Sequence, residues 1–295
     1  MKAINKIVML IGILFLSGIL IYATSNDTIS KIGTPNYFPE KIDFAGEETP
    51  LQIADVHERM DRELLINANL HSSTILILKR ANKFFPIIEP ILARNNVPDD
   101  FKYLAVIESS LITTSVSKAG ASGIWQFMSQ TAREKGLEVS ENVDERYHLE
   151  KATEAACKYL LAAKERFGSW TLAAASYNGG TAGISNKIQE QQVSNYYDLL
   201  LVDETSRYVF RILALKEIMK NPTLYGFDLK TTDLYKNQPI RKIEIDSSIN
   251  NLALFAKNQG INYKILKQHN PWLRDKKLDN LKKKTYTIEI PTSGY

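Results

Sequence analysis

The sequence predicts a mainly α-helical protein that ends in a small βααβ module. Three observations carry this. From about Val56 to Lys220, apolar residues recur at i, i+3 and i+4 spacing with almost no strand alternation. Helix-ending signals, such as Gly168 and Pro222, punctuate that stretch. After Pro239 the pattern changes to a short strand, two short helical runs and a second strand, within about 50 residues.

The 295 residues suffice for two domains of ordinary size. Apolar residues make up 44% and charged residues 24%, the composition of a globular chain and not of a disordered or fibrous one. Lys2 and Lys6 precede an uncharged apolar run, Ile7 to Tyr22. A basic start followed by such a run reads as a secretory signal or a retained membrane anchor over residues 1–25. Either places the protein in the cell envelope, exported, periplasmic or membrane-anchored. Residues 26–50, with Gly33, Pro35, Pro39 and Gly46 and no apolar period, read as a linker.

The helical domain is expected over 51–225. Helical periodicity runs through Glu63 to Asn69 and Ser73 to Asn82, and Pro86 and Pro90 are expected to interrupt the following Phe84–Arg94 segment. Pro98 with Asp99 and Asp100 opens a helix bearing Leu104, Ile107 and Leu111 on one face. Further helices are expected from Leu149 to Phe167, from Trp170 to Tyr177 and from Asp203 to Lys220. A second linker, 226–238, leads to the βααβ module over 239–292. Its pieces are Ile240–Ile245, Asn250–Gly260, Tyr263–His269 and Tyr286–Pro291.

From Lys230 to Tyr295 there are 13 Lys and Arg against 6 Asp and Glu, while the chain as a whole carries only +4. This basic end suits an anionic polymer or is a solvated face. Cys157, the sole cysteine, excludes an intramolecular disulfide and reads as a small buried hydrophobe. His57, His71, His148 and His269 lack ligand spacing, so neither a metal nor a cofactor is expected, and no nucleic-acid partner is expected either.

The segment Ala105-Val106-Ile107-Glu108-Ser109-Ser110-Leu111 draws attention to Glu108, at the margin of an apolar helix face. A carboxyl held against apolar surface loses water and its pKa rises, as a general acid near neutral pH requires. Taken alone, a helical glutamate is more often simply solvated. The surrounding blocks decide between the two. They are Glu108-Ser109-Ser110, Ser117 to Met128, Thr131-Ala132, Gly136-Leu137, Val143 to Arg146, Thr153 to Ala156, Tyr159-Leu160, Ala174 to Gly180, Glu204-Thr205 and Tyr208. In this order and spacing they resemble the soluble lytic transglycosylase domain, the goose-lysozyme-like family, in its membrane-bound branch that adds LysM modules.

The resemblance implies a lysozyme-like fold and cleavage of peptidoglycan glycan strands with one carboxyl, Glu108, as acid and then base. It assigns Ser117, Gln126, Met128, Tyr177, Asn178 and Tyr208 to the glycan cleft or its support. Read as residues, Gln126 offers an acceptor and two donors for sugar hydroxyls and acetamides, and Tyr177 and Tyr208 bring hydroxyls able to orient Glu108 or an acetamide. Trp125 and Phe127 read as core before sugar platforms. Asp144-Glu145-Arg146 reads as an ion pair or cap; a carboxylate from it in the cleft would instead favour a water-using muramidase. A non-catalytic wall-binding protein on the same fold is the other alternative. The C-terminal blocks Ile243–Asp246, Leu252-Ala253, Gly260-Ile261, Leu266, Asn270-Pro271 and Ile288–Pro291 resemble a degenerate LysM module. Lys282-Lys283-Lys284 stand where a glycine is usual, which leaves sugar binding by the module open.

Overall fold

A computed structural model describes residues 37–295. The expected signal or anchor, 1–25, and the start of the expected linker lie outside the described residues. Among those described, no helix is long and apolar enough to cross a membrane. Among the described residues, ten α-helices and a small two-stranded sheet near the C-terminus make the fold mainly α, as the periodicity predicts.

Residues 37–50 depart from the expected linker. Asp43–Phe44 (β1) and Glu47–Glu48 (β2) pair antiparallel across Ala45-Gly46, both at positive φ, the two-residue hairpin geometry. Phe44 is fully buried, its ring edge-on to Phe101 at 5.0 Å. The backbone N–H of Ala45 donates to Asp100 Oδ2 at 2.7 Å, and buried Lys216 pairs with the same oxygen at 2.7 Å.

The hairpin also completes a helix end. The Glu47 carboxylate accepts from the Trp170 and Thr171 N–H groups (2.6 and 2.9 Å) and from the Ser169 and Thr171 hydroxyls (2.7 Å each). These are the orphan donors at the start of Trp170–Gly179 (α6 below). Burial by itself raises the pKa of this carboxyl, but the bonds from Thr171, Ser169 and Trp170 outweigh it and hold Glu47 at about 2. A depressed carboxyl stabilises the fold above its unfolded pKa and loses that contribution as pH falls through its folded value. Glu47→Ala is therefore expected to lower stability by roughly 2–3 kcal/mol at neutral pH. In denaturant titrations the gap to the parent should close as the pH approaches 2.

The helical body is built around α8 (Asp203–Lys220), whose residues from Tyr208 to Ile218 are buried apart from Arg211. Against it pack α1 (Ala54–Asn69), α3 (Lys102–Ser109) and α6 (Trp170–Gly179). The outer helices are α2 (His71–Arg94), α4 (Ser129–Glu134), α5 (Leu149–Phe167) and α7 (Thr181–Gln191). In α1, Val56, Met60, Glu63, Leu64 and Ala68 form the buried stripe. Glu63 is buried because Arg207 of α8 reaches it, Nε to Oε1 at 2.6 Å. The α5 stripe of Ala152, Ala155, Ala156, Leu160 and Ala163 faces the core, and Gly168 ends that helix at φ 68°. Cys157 is fully buried there, its thiol pushed up to about 12 by burial.

In α2 the expected break does not occur. The helix continues through Pro86 and Pro90 to Arg94. Each interior proline costs on the order of 3 kcal/mol. Burial of Ile88, Ile91 and Leu92 on the next turns offsets that cost.

Residues 226–238 run along the surface of α2. The Tyr235 N–H donates to the Lys79 carbonyl at 3.2 Å, the Tyr235 carbonyl accepts from Asn82 Nδ2 at 2.9 Å, and Asn237 Nδ2 donates to the Lys83 carbonyl at 2.7 Å. In the terminal module β3 (Ile240–Ile245) and β4 (Tyr286–Pro291) pair antiparallel, Ile243 opposite Ile288. Between them lie α9 (Leu252–Asn258) and α10 (Tyr263–His269), capped by the Asn251 and Asn262 side chains. Leu252, Ala256, Leu266, Leu273, Leu278 and Ile288 form its core.

Candidate active site

Glu108 lies in the last turn of α3, after the buried Leu104, Ala105 and Val106. The helix stops at once beyond it. Ser110 and Leu111 both adopt left-handed backbone, φ 51° and 58°. For a buried leucine this conformation is costly, and such strain gathers at functional sites. The left-handed pair ends α3 without a glycine, and Arg80 fastens the turn by donating to the Ser110 carbonyl at 3.2 Å.

The Glu108 side chain is largely withdrawn from water. Burial raises its pKa to about 7, against opposing effects from the Tyr208 hydroxyl and the Arg211 charge, and with a small upward push from Glu204. The negative end of the α3 dipole acts in the same direction as burial. Tyr208 is itself buried on α8 and donates its hydroxyl hydrogen to Glu108 Oε1. Its own pKa is driven well above the usual phenol value, chiefly by burial, so it remains a donor.

Tyr177, on α6, has a different partner. Its hydroxyl donates to the Trp125 carbonyl at 2.8 Å, and its ring packs on Phe127 and Tyr159. Trp125 is fully buried with Nε1 on Thr153 Oγ1 at 2.9 Å, and Phe127 is buried, so both belong to the core. Asn178, one residue after Tyr177, accepts from Thr205 Oγ1 at 2.7 Å and donates to Glu204 Oε1 at 3.4 Å. It thereby ties the end of α6 to the first turn of α8.

The segment 115–128 forms a folded loop. Ser117 and Ala121 close a tight turn, with Ser117 Oγ accepting from the Ala121 N–H at 3.0 Å, and Ser117 is exposed. Gln126 sits at φ 49° and commits its amide donors to the carbonyls of Gly123 (2.8 Å) and Ser115 (3.2 Å). Among the described residues its Oε1 accepts no hydrogen bond. Met128 is 46% exposed. Of the six residues singled out from sequence beside Glu108, only Tyr208 bonds to it directly. Tyr177, Asn178 and Gln126 are held by neighbouring backbone or by α8, while Ser117 and Met128 stand on the surface.

Arg146 anchors this loop. Its Nη1 donates to the carbonyls of Gly120 (3.0 Å) and Phe127 (3.1 Å), and its other nitrogens pair with Asp144, 2.7 Å at the closest. Glu145 pairs with Lys151 and accepts from the Glu138 N–H. The Asp144-Glu145-Arg146 cluster is thus an ion pair and a cap. Arg211, one turn beyond Tyr208 on α8, and Glu204 were not singled out from sequence as site residues. The i, i+3 spacing from Tyr208 is the signal for Arg211. Among the described residues no three His, Cys, Asp or Glu side chains converge as a metal site.

Two family models match the chain. That of the transglycosylase SLT domain covers residues 85–200, which include Glu108, the 115–128 loop and Asn178. Residues 85–200 are thus similar to a transglycosylase SLT domain. The soluble lytic transglycosylase C-terminal LysM-like domain matches residues 241–294, which hold β3 to β4. The chain is similar to membrane-bound lytic murein transglycosylase D from two Escherichia coli strains, 29% identical over 235 residues in each. That match takes in 77% of this chain and 50% of the relative, so the chain spans about half the length of the curated relatives it matches. A solved structure, an inactive mutant of the lytic transglycosylase Slt from Pseudomonas aeruginosa, aligns at a TM-score of 0.37 and 16% identity, over 51% of this chain and 26% of that one. The catalytic candidate lies on α3, within the matched residues 85–200, and its hydroxyl partner on α8, beyond them, 100 residues away in sequence.

Proposed function

We propose that this chain is a peptidoglycan lytic transglycosylase of the cell envelope that uses Glu108 as its single acid and base. The observation that carries the reading is the Glu108 carboxyl, desolvated to a pKa of about 7 and held by the Tyr208 hydroxyl. At neutral pH about half of such groups are protonated, so one side chain can both give and take a proton. Glu108 would protonate the glycosidic oxygen of the β-1,4 bond between N-acetylmuramic acid and N-acetylglucosamine. The muramyl acetamide would stabilise the developing positive charge at C1. Glu108, now ionised, would take the proton from the muramyl 6-hydroxyl as that oxygen attacks C1. The product end is a 1,6-anhydro sugar. An attacking group within the same ring gains from proximity and needs no activated water. Gln126 through its open Oε1, with Ser117 and Met128 on the loop surface, would contact the glycan. Tyr177 and Asn178 would support the wall. The names of the relatives, membrane-bound and murein-directed, fit this substrate and an envelope location.

Glycosidases that hydrolyse commonly need a second carboxylate. Asp144 and Glu145 are committed to Arg146 and Lys151. Glu204 is exposed and close enough to perturb Glu108, and it is the observation that favours a muramidase as second reading. Mass spectrometry of the sugar ends released from cell-wall sacculi separates the two. Anhydro ends are expected; ends heavier by one water would replace the transglycosylase with a hydrolase.

Tyr208→Phe tests the hydroxyl. The bond from Tyr208 lowers the Glu108 pKa, so its loss should move the alkaline limb of kcat/KM to higher pH. The plateau rate should fall roughly 10- to 100-fold, as expected for one hydrogen bond to a charged group. A pH–rate profile on soluble glycan strands reads both effects.

A further inference from the structure

The LysM-like module is joined to the helical body by more than its linker. Its Trp272–Arg274 segment lies along residues 142–144 like an added strand. Val143 bridges Leu273, the Asp144 N–H donates to the Trp272 carbonyl at 2.9 Å, and the Arg274 N–H donates to the Asn142 carbonyl at 2.7 Å. Asn142 Oδ1 accepts from the Asp279 N–H at 2.8 Å. Val143 and Tyr147 are buried within the core of the module itself, and the Arg274 guanidinium lies 4.2 Å from the Tyr147 ring centre. Glu138 adds contacts to Lys284 (2.7 Å) and Tyr286 (3.0 Å). An apolar, hydrogen-bonded contact of this kind fixes one domain on another instead of leaving it free to move.

The same short segment holds the loop of the candidate site. Asp144 gives its backbone N–H to the module and its carboxylate to Arg146. Arg146 in turn holds the carbonyls of Gly120 and Phe127. A Cβ built on Gly123 would fall 1.9 Å from the Arg146 carbonyl oxygen, so the loop backbone sits directly on this segment.

We infer that the LysM-like module is a positioning element for the glycan-binding loop, acting through Asn142–Arg146, and not only a wall-binding appendage. Asn142 and Arg274 act as positioning residues. The role given to the loop rests on the transglycosylase reading; the mechanical coupling does not.

Hydrogen–deuterium exchange on the full chain tests the coupling without any need for activity. The double variant Asn142→Ala, Arg274→Ala removes side-chain ties between module and body and leaves Asp144 and Arg146 in place. Amides of residues 115–128 are expected to exchange about tenfold faster, with α8 protection unchanged. For glycan strands KM should rise several-fold while kcat changes little, because Glu108 and Tyr208 are untouched. Arg146→Ala should loosen the same loop with the module contact intact. Faster exchange confined to 142–147 and 272–279, with 115–128 as slow as in the parent, would overturn the inference. If the double variant also loses protection in α8, Arg274→Ala alone, which removes an exposed side chain, gives the same comparison with a smaller expected change. A parent chain that leaves sacculi intact would refute the transglycosylase reading and would not alter the exchange result.

Discussion

Glu108→Gln is expected to reduce glycan cleavage by roughly a thousandfold or more, the scale of a lost general acid, and to make the protein more stable above neutral pH. The amide keeps the shape of the side chain and can still accept from Tyr208, but it has no proton to deliver. The stability effect follows from the raised pKa. Below about pH 4.5 the carboxyl is neutral in the folded and unfolded chain, so the variant gains nothing. Between 4.5 and about 7 the unfolded chain ionises and the folded chain does not, so the parent loses stability as pH rises. Above 7 the folded state carries the full cost of a desolvated charge, about 3 kcal/mol. Thermal melts near pH 8 should place the variant several degrees above the parent, and melts near pH 4 should coincide. An inactive variant that is no more stable at either pH would indicate that Glu108 is solvated.

Gly123→Ala is expected to cost about 3 kcal/mol or more, from two sources that add. The residue sits at φ 80°, where an alanine costs roughly 1–2 kcal/mol. The new methyl would also lie 1.9 Å from the Arg146 carbonyl oxygen and 2.8 Å from its carbon, both backbone atoms that cannot swing aside. Relief requires the loop to move off Asn142–Arg146, which lengthens the Arg146 bonds to Gly120 and Phe127. Glycan KM should therefore rise along with the loss of stability. Gly120→Ala is the control. It has φ 87° but nothing within 4 Å of the added methyl, so only the conformational cost remains. Denaturant midpoints of the two variants should differ clearly; equal midpoints would show that the loop yields freely.

The parts of the fold legible in the sequence are those where one signal dominates. α5, α8, α10 and β4 have the bounds that periodicity and terminators give: Gly168 follows α5, Asn221 and Pro222 follow α8, Asn270 follows α10, and β4 ends at Pro291. α7 escaped notice because only Ile184 of its eleven residues is buried, so it has no stripe. The hairpin at 43–48 escaped notice because it is too short to alternate and its value lies in distant partners, Phe101, Asp100 and the start of α6. Pro86 and Pro90 misled because local backbone preference was outweighed by burial on the turns that follow.

At the site, the apolar flank of Glu108 alone left a solvated glutamate the commoner reading, and the resemblance carried by the surrounding blocks made it the candidate. Its hydrogen-bonded partner came from the resemblance. The ion pair of Arg146 was legible, but its hold on two loop carbonyls and the effect of Arg211 on a carboxyl of another helix were not, since each depends on which atoms the fold brings near. Tyr177 shows the limit in the other direction. Its type suggested a hydroxyl for Glu108 or an acetamide, yet its hydroxyl goes to the Trp125 carbonyl and holds the loop instead.

Carbon-13 NMR of protein labelled at glutamate side-chain carboxyls, titrated with pH and compared with the Glu108→Gln variant, isolates the one resonance on which the chemistry turns. The structure predicts a titration midpoint for Glu108 at about 7, moving upward in Tyr208→Phe. A midpoint near the ordinary 4.5 would mean a hydrated carboxylate with no proton to give at neutral pH, and would contradict a single-acid mechanism.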